Sequence, residues 1–135
     1  MKKIALLLVI TAFLLPAYAG KEQLIGTWKS NKPETVAYLK THTKLTPRQL
    51  EKVGAGLGTK TITFDKQMVT YRHADWKFVS NYKIVEETPK VITIESQNPQ
   101  SKKWERTEIE VDAKGIWTPG DQIPGYKERF DKVEK

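Results

Sequence analysis

Trp76-Lys77-Phe78-Val79-Ser80-Asn81-Tyr82-Lys83-Ile84-Val85 is the stretch on which the fold turns. In an extended chain Trp76, Phe78, Ser80, Tyr82 and Ile84 share one face, and Lys77, Val79, Asn81, Lys83 and Val85 share the other. The first face is mostly aromatic or apolar and the second carries the lysines. That two-residue period is the mark of a half-buried β-strand.

The same rhythm continues on both sides. Upstream, Thr61 to Phe64 alternates, Asp65-Lys66-Gln67 turns the chain, and Met68 to His73 returns with Val69, Tyr71 and His73 on one side. Downstream come strands at Val91 to Glu95, Lys103 to Asp112, Ile116 to Thr118 and Tyr126 to Val133, separated by Pro-, Gly- and Asn-containing turns and by a loop from Pro119 to Gly125. Thr107, Ile109 and Val111 face one way. Trp104, Arg106, Glu108 and Glu110 face the other, and opposite charges on one face mark it as outer.

Ahead of this run, Leu24 to Ser30 reads as a first strand. A short helix begins at Pro33 and carries Val36, Tyr38 and Leu39. A second helix has a sharper start: Thr46-Pro47-Arg48-Gln49 is a capping box with Pro at the first helical position, and Leu45 and Leu50 occupy the two positions of a hydrophobic staple. Leu50, Val53 and Leu57 mark its apolar side, and Gly54, Gly56 and Gly58 end it. The chain therefore reads as mainly β with a short helix pair between strands one and two. Short connections favour sequential antiparallel pairing, and a meander of about eight strands loses its exposed edges by closing. The expected architecture is an eight-stranded antiparallel barrel with the helices across an opening. An open sheet with the helix pair on one face is the alternative.

The Gly26-Thr27-Trp28 triplet on the first strand resembles the G-x-W motif of the lipocalins and the intracellular fatty-acid-binding proteins, together the calycins. The resemblance implies a barrel sealed at one end by Trp28, with Arg129 of the last strand packed across it. The helix pair between strands one and two looks like the fatty-acid-binding branch, as does the length. The strand count departs from the ten of that branch, and the other lipocalin motifs are not recognisable.

The first residues speak to compartment. Met1-Lys2-Lys3, the apolar run Ile4 to Leu15, Pro16 and Ala17-Tyr18-Ala19 together have the form of a secretory signal peptide, cut after Ala19. The run is short for a membrane anchor, which wants about 20 apolar residues. The expectation is an exported protein, periplasmic or secreted from a bacterium, with a signal at 1–19, one domain at 20–135 and no transmembrane segment after cleavage. The chain has no Cys, so its single core must hold without disulfides. Two of its seven net positive charges lie at Lys2 and Lys3, leaving +5 for the mature domain. A basic exported domain meets anionic lipid, lipopolysaccharide, cell-wall polymer or an acidic protein. No basic run is dense enough for nucleic acid.

Chemistry is sparse. Without Cys there is no thiol catalysis and no thiolate metal site. His73-Ala74-Asp75 offers two ligands where a metal needs three or four. No G-x-S-x-G elbow is present, and Gly54 to Gly58 ends a helix, whereas a phosphate loop opens one. The reading is a non-enzymatic protein without a cofactor, holding a small apolar or amphipathic ligand inside the barrel. Tyr71, His73, Ser80, Tyr82 and Tyr126 are its expected polar contacts, and Phe64, Phe78, Ile84 and Phe130 its wall. Trp28 and Trp76 read as core. The alternative is a protein-interaction module, an inhibitor, immunity factor or envelope accessory protein, with Trp104 and Trp117 as its rim.

Overall fold

A computed structural model describes residues 20–120 and 123–134. The expected signal at 1–19 lies outside the described residues. The described residues open with a helical turn, α1 (Lys21–Leu24), followed by β1 (Gly26–Ser30), α2 (Lys32–His42) and α3 (Pro47–Gly54). Seven further strands complete it: β2 (Thr61–Phe64), β3 (Met68–His73), β4 (Trp76–Glu87), β5 (Val91–Gln97), β6 (Trp104–Val111), β7 (Gly115–Pro119) and β8 (Lys127–Lys132).

All eight strands pair antiparallel with their sequence neighbours, and β8 returns to pair with β1, closing the barrel. The open-sheet alternative is thereby overturned. Closure removes the edges that an isolated meander would expose. β4 carries a bulge between Ile84 and Glu86, which bends the long strand as the wall curves.

The two ends of the barrel differ. At one end α1 folds inward, so Leu24, expected in the first strand, is instead a plug with no exposed surface. Its carbonyl accepts a 2.9 Å hydrogen bond from the Trp28 indole N–H. Phe64, Val69, Tyr82, Ile92 and Ile116 continue this packed end into one apolar cluster. Gly26 supplies the backbone that turns α1 into β1: its φ is +139°, and a Cβ there would meet the Lys132 side chain at 2.9 Å.

The other end receives the helix pair. The capping box of α3 forms as expected, with Thr46 Oγ1 accepting from Gln49 N–H at 3.2 Å and Gln49 Oε1 accepting from Thr46 N–H at 2.9 Å. α2 is stitched to β8, because the chain leaves β1 at Asn31 and β8 loses its partner there. Asn31 N–H donates to Arg129 O at 2.8 Å, and Thr35 Oγ1 of α2 accepts from Arg129 N–H at 2.9 Å. Tyr38 of α2 then packs on Trp117 of β7, ring centres 5.0 Å apart. The helix pair does not lie wholly across the opening: α2 runs along the outside of β7 and β8, while the end of α3 and its following turn border the interior. No helix among the described residues is long and apolar enough to cross a membrane.

Candidate functional site

The interior at the helix end is hollow. One lobe of about 470 Å³ is bordered by Lys60, Ile62, Tyr71, His73, Trp76, Thr118, Tyr126, Glu128 and Phe130 among others. A second, larger space of about 1120 Å³ shares Lys60, Ile62, Tyr71, His73, Thr118 and Tyr126 with it, and adds Val53 and Leu57 from the helix side and Phe64, Ile94, Glu105, Thr107 and Ile109 from the walls. The two spaces adjoin along this shared lining, and both are open to solvent. Apolar side chains such as Ile62 and Phe130 alternate in the lining with polar ones such as Tyr71, Lys60 and Tyr126.

Three of the five expected polar contacts meet here: Tyr71, His73 and Tyr126 border both lobes. Ser80 and Tyr82 do not. They point inward, as their alternation requires, but lie lower on the wall. Ser80 Oγ donates to Asn81 O at 2.7 Å and accepts from Gln97 N–H at 3.1 Å, a local tie between β4 and β5. Tyr82 packs edge-on to Phe64 at 5.3 Å and donates its hydroxyl to Asp65 O, so it belongs to the packed end. Of the expected wall residues, Phe64 and Phe130 border the cavity, and Phe78 and Ile84 do not.

The residue at the centre of the polar side is Glu128, which is not among the five expected contacts. It is 4% exposed. Ser30 Oγ donates to its Oε2 at 2.7 Å, and Lys60 Nζ and Tyr126 Oη donate to its Oε1 at 3.1 and 3.2 Å. Ser30 Oγ in turn accepts from Gly58 N–H at 3.0 Å, tying the turn after α3 to the barrel. A buried carboxylate is tolerated only when so paired. Burial and the Glu128 charge push the Tyr126 phenol well above its ordinary range, so it stays a donor at any physiological pH. Burial also pushes the Tyr71 phenol up, with a smaller contribution from the Glu105 charge opposing a hydrogen bond from Ser96. Glu105, the second inward acid, accepts from Asn98 Nδ2 at 2.8 Å. The period of two in Tyr126, Glu128 and Phe130 is the signal that finds Glu128. It sits between an aromatic contact and a core phenylalanine, in phase with both.

Several expectations about tryptophan and arginine change. Trp76 is not core: it is 42% exposed, stacked on Phe78 at the tip of the β3–β4 hairpin. That tip rises past β5, which meets β4 only from Tyr82 onward, and its contact there comes from the β5–β6 connection, where Lys102 Nζ lies 4.0 Å over the Phe78 ring. Arg129 does not seal Trp28. Register places Lys132 opposite Trp28, and its Nζ lies 5.5 Å from the indole. Arg129 is on the other face of β8, its guanidinium 5.3 Å from the Trp117 ring.

Trp117 is therefore covered by Arg129 and Tyr38, and the expected Trp104–Trp117 rim does not form. Trp104 stands alone on the outer wall, 54% exposed. Replacing it with alanine is expected to move the thermal midpoint by less than about 2 °C, since surface side chains away from caps and cores contribute within about 0.5 kcal/mol. A larger drop by differential scanning calorimetry would show that Trp104 is packed in solution.

Among the described residues no three His, Asp or Glu side chains are placed to hold a metal ion. What the arrangement offers is a solvent-open hollow whose lining combines apolar side chains with hydrogen-bonding groups. No protein-family model, curated protein or solved structure matches this chain.

Proposed function

We propose that this protein is an exported, non-enzymatic carrier that holds a small amphipathic ligand in the helix-side half of its barrel, in the manner of the calycins it resembles. The observation that carries the reading is the cavity of about 470 Å³ and its larger extension, lined by Phe64, Ile94 and Ile109 together with Tyr71, Tyr126, Lys60 and Glu128. The smaller lobe has the size and composition of a ligand site, an apolar surface with a few fixed polar groups. An interior meant only for stability would be filled, because empty apolar volume is destabilising. The polar wall is held in advance by the Ser30–Glu128–Tyr126 bonds, so little ordering cost falls on binding.

The interaction-module reading is weaker, because it keeps only Trp104 of its two rim residues. The test is titration with N-phenyl-1-naphthylamine, whose fluorescence rises in an apolar enclosure. Saturable enhancement at one probe per chain is expected. Thr107→Phe, which fills the cavity from the β6 wall, is expected to weaken binding at least tenfold with an unchanged far-ultraviolet circular dichroism spectrum. No saturable enhancement, together with a ligand-free native mass for protein from its host, would remove the carrier reading.

A further inference from the structure

We infer that the ligand passes through the side of the barrel, between β6 and β7, at an opening that Pro119 holds apart. This inference rests on the carrier reading and specifies its ligand as a chain-like amphiphile, able to lie through a slot with one end still outside.

The hydrogen-bond phase of β6 gives the first half of the argument. Asn98 N–H donates to Lys103 O at 2.8 Å and Val111 N–H donates to Lys90 O at 2.7 Å, so the odd-numbered residues of β6 bond toward β5. The even-numbered ones aim at β7: Asp112 N–H donates to Gly115 O at 3.0 Å, and Glu110 stands opposite Trp117. Continuing that register brings Glu108 opposite residue 119 as the next bonded rung. Residue 119 is proline. It has no N–H to give Glu108, and a proline within a ladder ends the pairing on that side.

The pairing does end there. β6 pairs with β5 at seven positions, from Val91↔Glu110 to Gln97↔Trp104, but with β7 only at Glu110↔Trp117 and Val111↔Ile116. Pro119 still pairs with Lys127 of β8, so β7 stays with β8 and β6 with β5, and only a two-pair ladder joins β6 to β7.

The second half is independent of the register. The larger cavity is bordered by residues from both faces of β6: Glu105 and Thr107 from the inner face, Arg106 and Glu108 from the outer. This mixed lining is what a space reaching the free edge of β6 would have. Lys127 and Glu110 also border it, and their ion pair spans β7 from outside at the top of the seam. An outward end of the ligand would find these charges, and its chain would find Ile94 and Ile109 within.

The test restores the missing rung. Pro119→Val and Pro119→Ala each return the N–H, and a rate change shared by both comes from the rung and not from side-chain bulk. Two readouts are needed. Amide hydrogen exchange of Glu108 is expected to be fast in the wild type and at least tenfold slower in both variants. Stopped-flow mixing with 11-(dansylamino)undecanoic acid is expected to show association and dissociation each slowed at least tenfold, with affinity changed less than threefold. A Glu108 amide already protected in the wild type would overturn the opening. Unchanged probe rates in the variants, with or without a gain in protection, would overturn the passage while leaving the carrier intact. Absence of saturable probe binding by the wild type would instead remove the carrier reading, and the passage with it.

Discussion

Arg129→Ala is expected to lower the thermal midpoint by about 10 °C, corresponding to about 2–3 kcal/mol for a domain of this size. Arg129 is 4% exposed and joins three parts of the chain. Its guanidinium forks onto Asp112 in the β6–β7 turn, with Nη1 donating to Oδ2 and Nη2 donating to Oδ1 at 2.9 Å. Its Nε lies 3.1 Å from Glu34 of α2 but out of line for a hydrogen bond, so that contact is Coulombic, and Asp131 stands 3.6 Å away. Its plane also covers Trp117. Removing it uncovers the ring and leaves three carboxylates facing one another. Breaking a buried pair costs about 3–5 kcal/mol. The figure here is lower because all three acids are about half exposed and water solvates what the arginine leaves. Arg129→Lys keeps the charge without the fork and should recover less than half of the loss. A midpoint within 2 °C of the wild type for Arg129→Ala, by calorimetry, would show that the cluster is solvated in the folded protein.

The same pair sets an acid limb. The hydrogen bonds from Arg129 hold the Asp112 carboxyl down at about 2, assisted by the Lys114 and Gly115 backbone N–H groups and opposed by some desolvation. A carboxyl whose folded pKa is depressed contributes stability above its unfolded value, near 4, and loses it as pH falls through that window toward 2. Because the Asp112 side chain is half exposed, screening limits this contribution to about 1 kcal/mol. Stability should therefore fall between pH 4 and pH 2 more steeply in the wild type than in Arg129→Ala, where most of the depression is gone.

How far the sequence reaches can be read from particular residues. Alternation from Thr61 onward is a local property, set by which face of each strand meets the interior, so the strands, their order and their inward faces are legible. Depth along a strand is not. Ser80, Tyr82 and Trp76 share one face of β4, yet one end of that face meets the packed floor and the other rises above the wall. Which residues lie beside a cavity depends on where neighbouring strands stop, and periodicity carries no such information. Register is likewise hidden. Arg129 is one residue out of phase with Phe130, which places it outside the barrel, but only the observed pairing of Trp28 with Lys132 shows which cation reaches the indole. Glu128 was within reach of the same alternation that identified Tyr126. An inward carboxylate is read as inward only when partners are visible, and Ser30 and Lys60 are far away in the chain.

Trp28→Ala is expected to cost about 3–5 kcal/mol, the largest single effect at the packed end and a large share of the 5–15 kcal/mol that a domain commands. Trp28 is 3% exposed and fills the space beneath Leu24, with Lys132 over its ring. The same change frees α1, because the indole it removes holds the last carbonyl of that one-turn helix. The loss thus has two parts, apolar burial and the anchoring of α1. Trp28→Phe separates them: it keeps most of the ring and gives up the N–H, and should cost about 1 kcal/mol, the usual net worth of a neutral hydrogen bond, plus a small packing term. Fluorescence distinguishes the variants from a general loosening. Trp76 and Trp104 are exposed and Trp117 is only half-buried under a cation, so the more deeply buried Trp28 supplies the shortest-wavelength emission, and its removal should shift the folded spectrum to the red in both variants while urea midpoints fall far more for alanine than for phenylalanine. Equal midpoints for the two would mean that the lost N–H, not the lost volume, dominates, and that α1 rather than the indole is what closes this end.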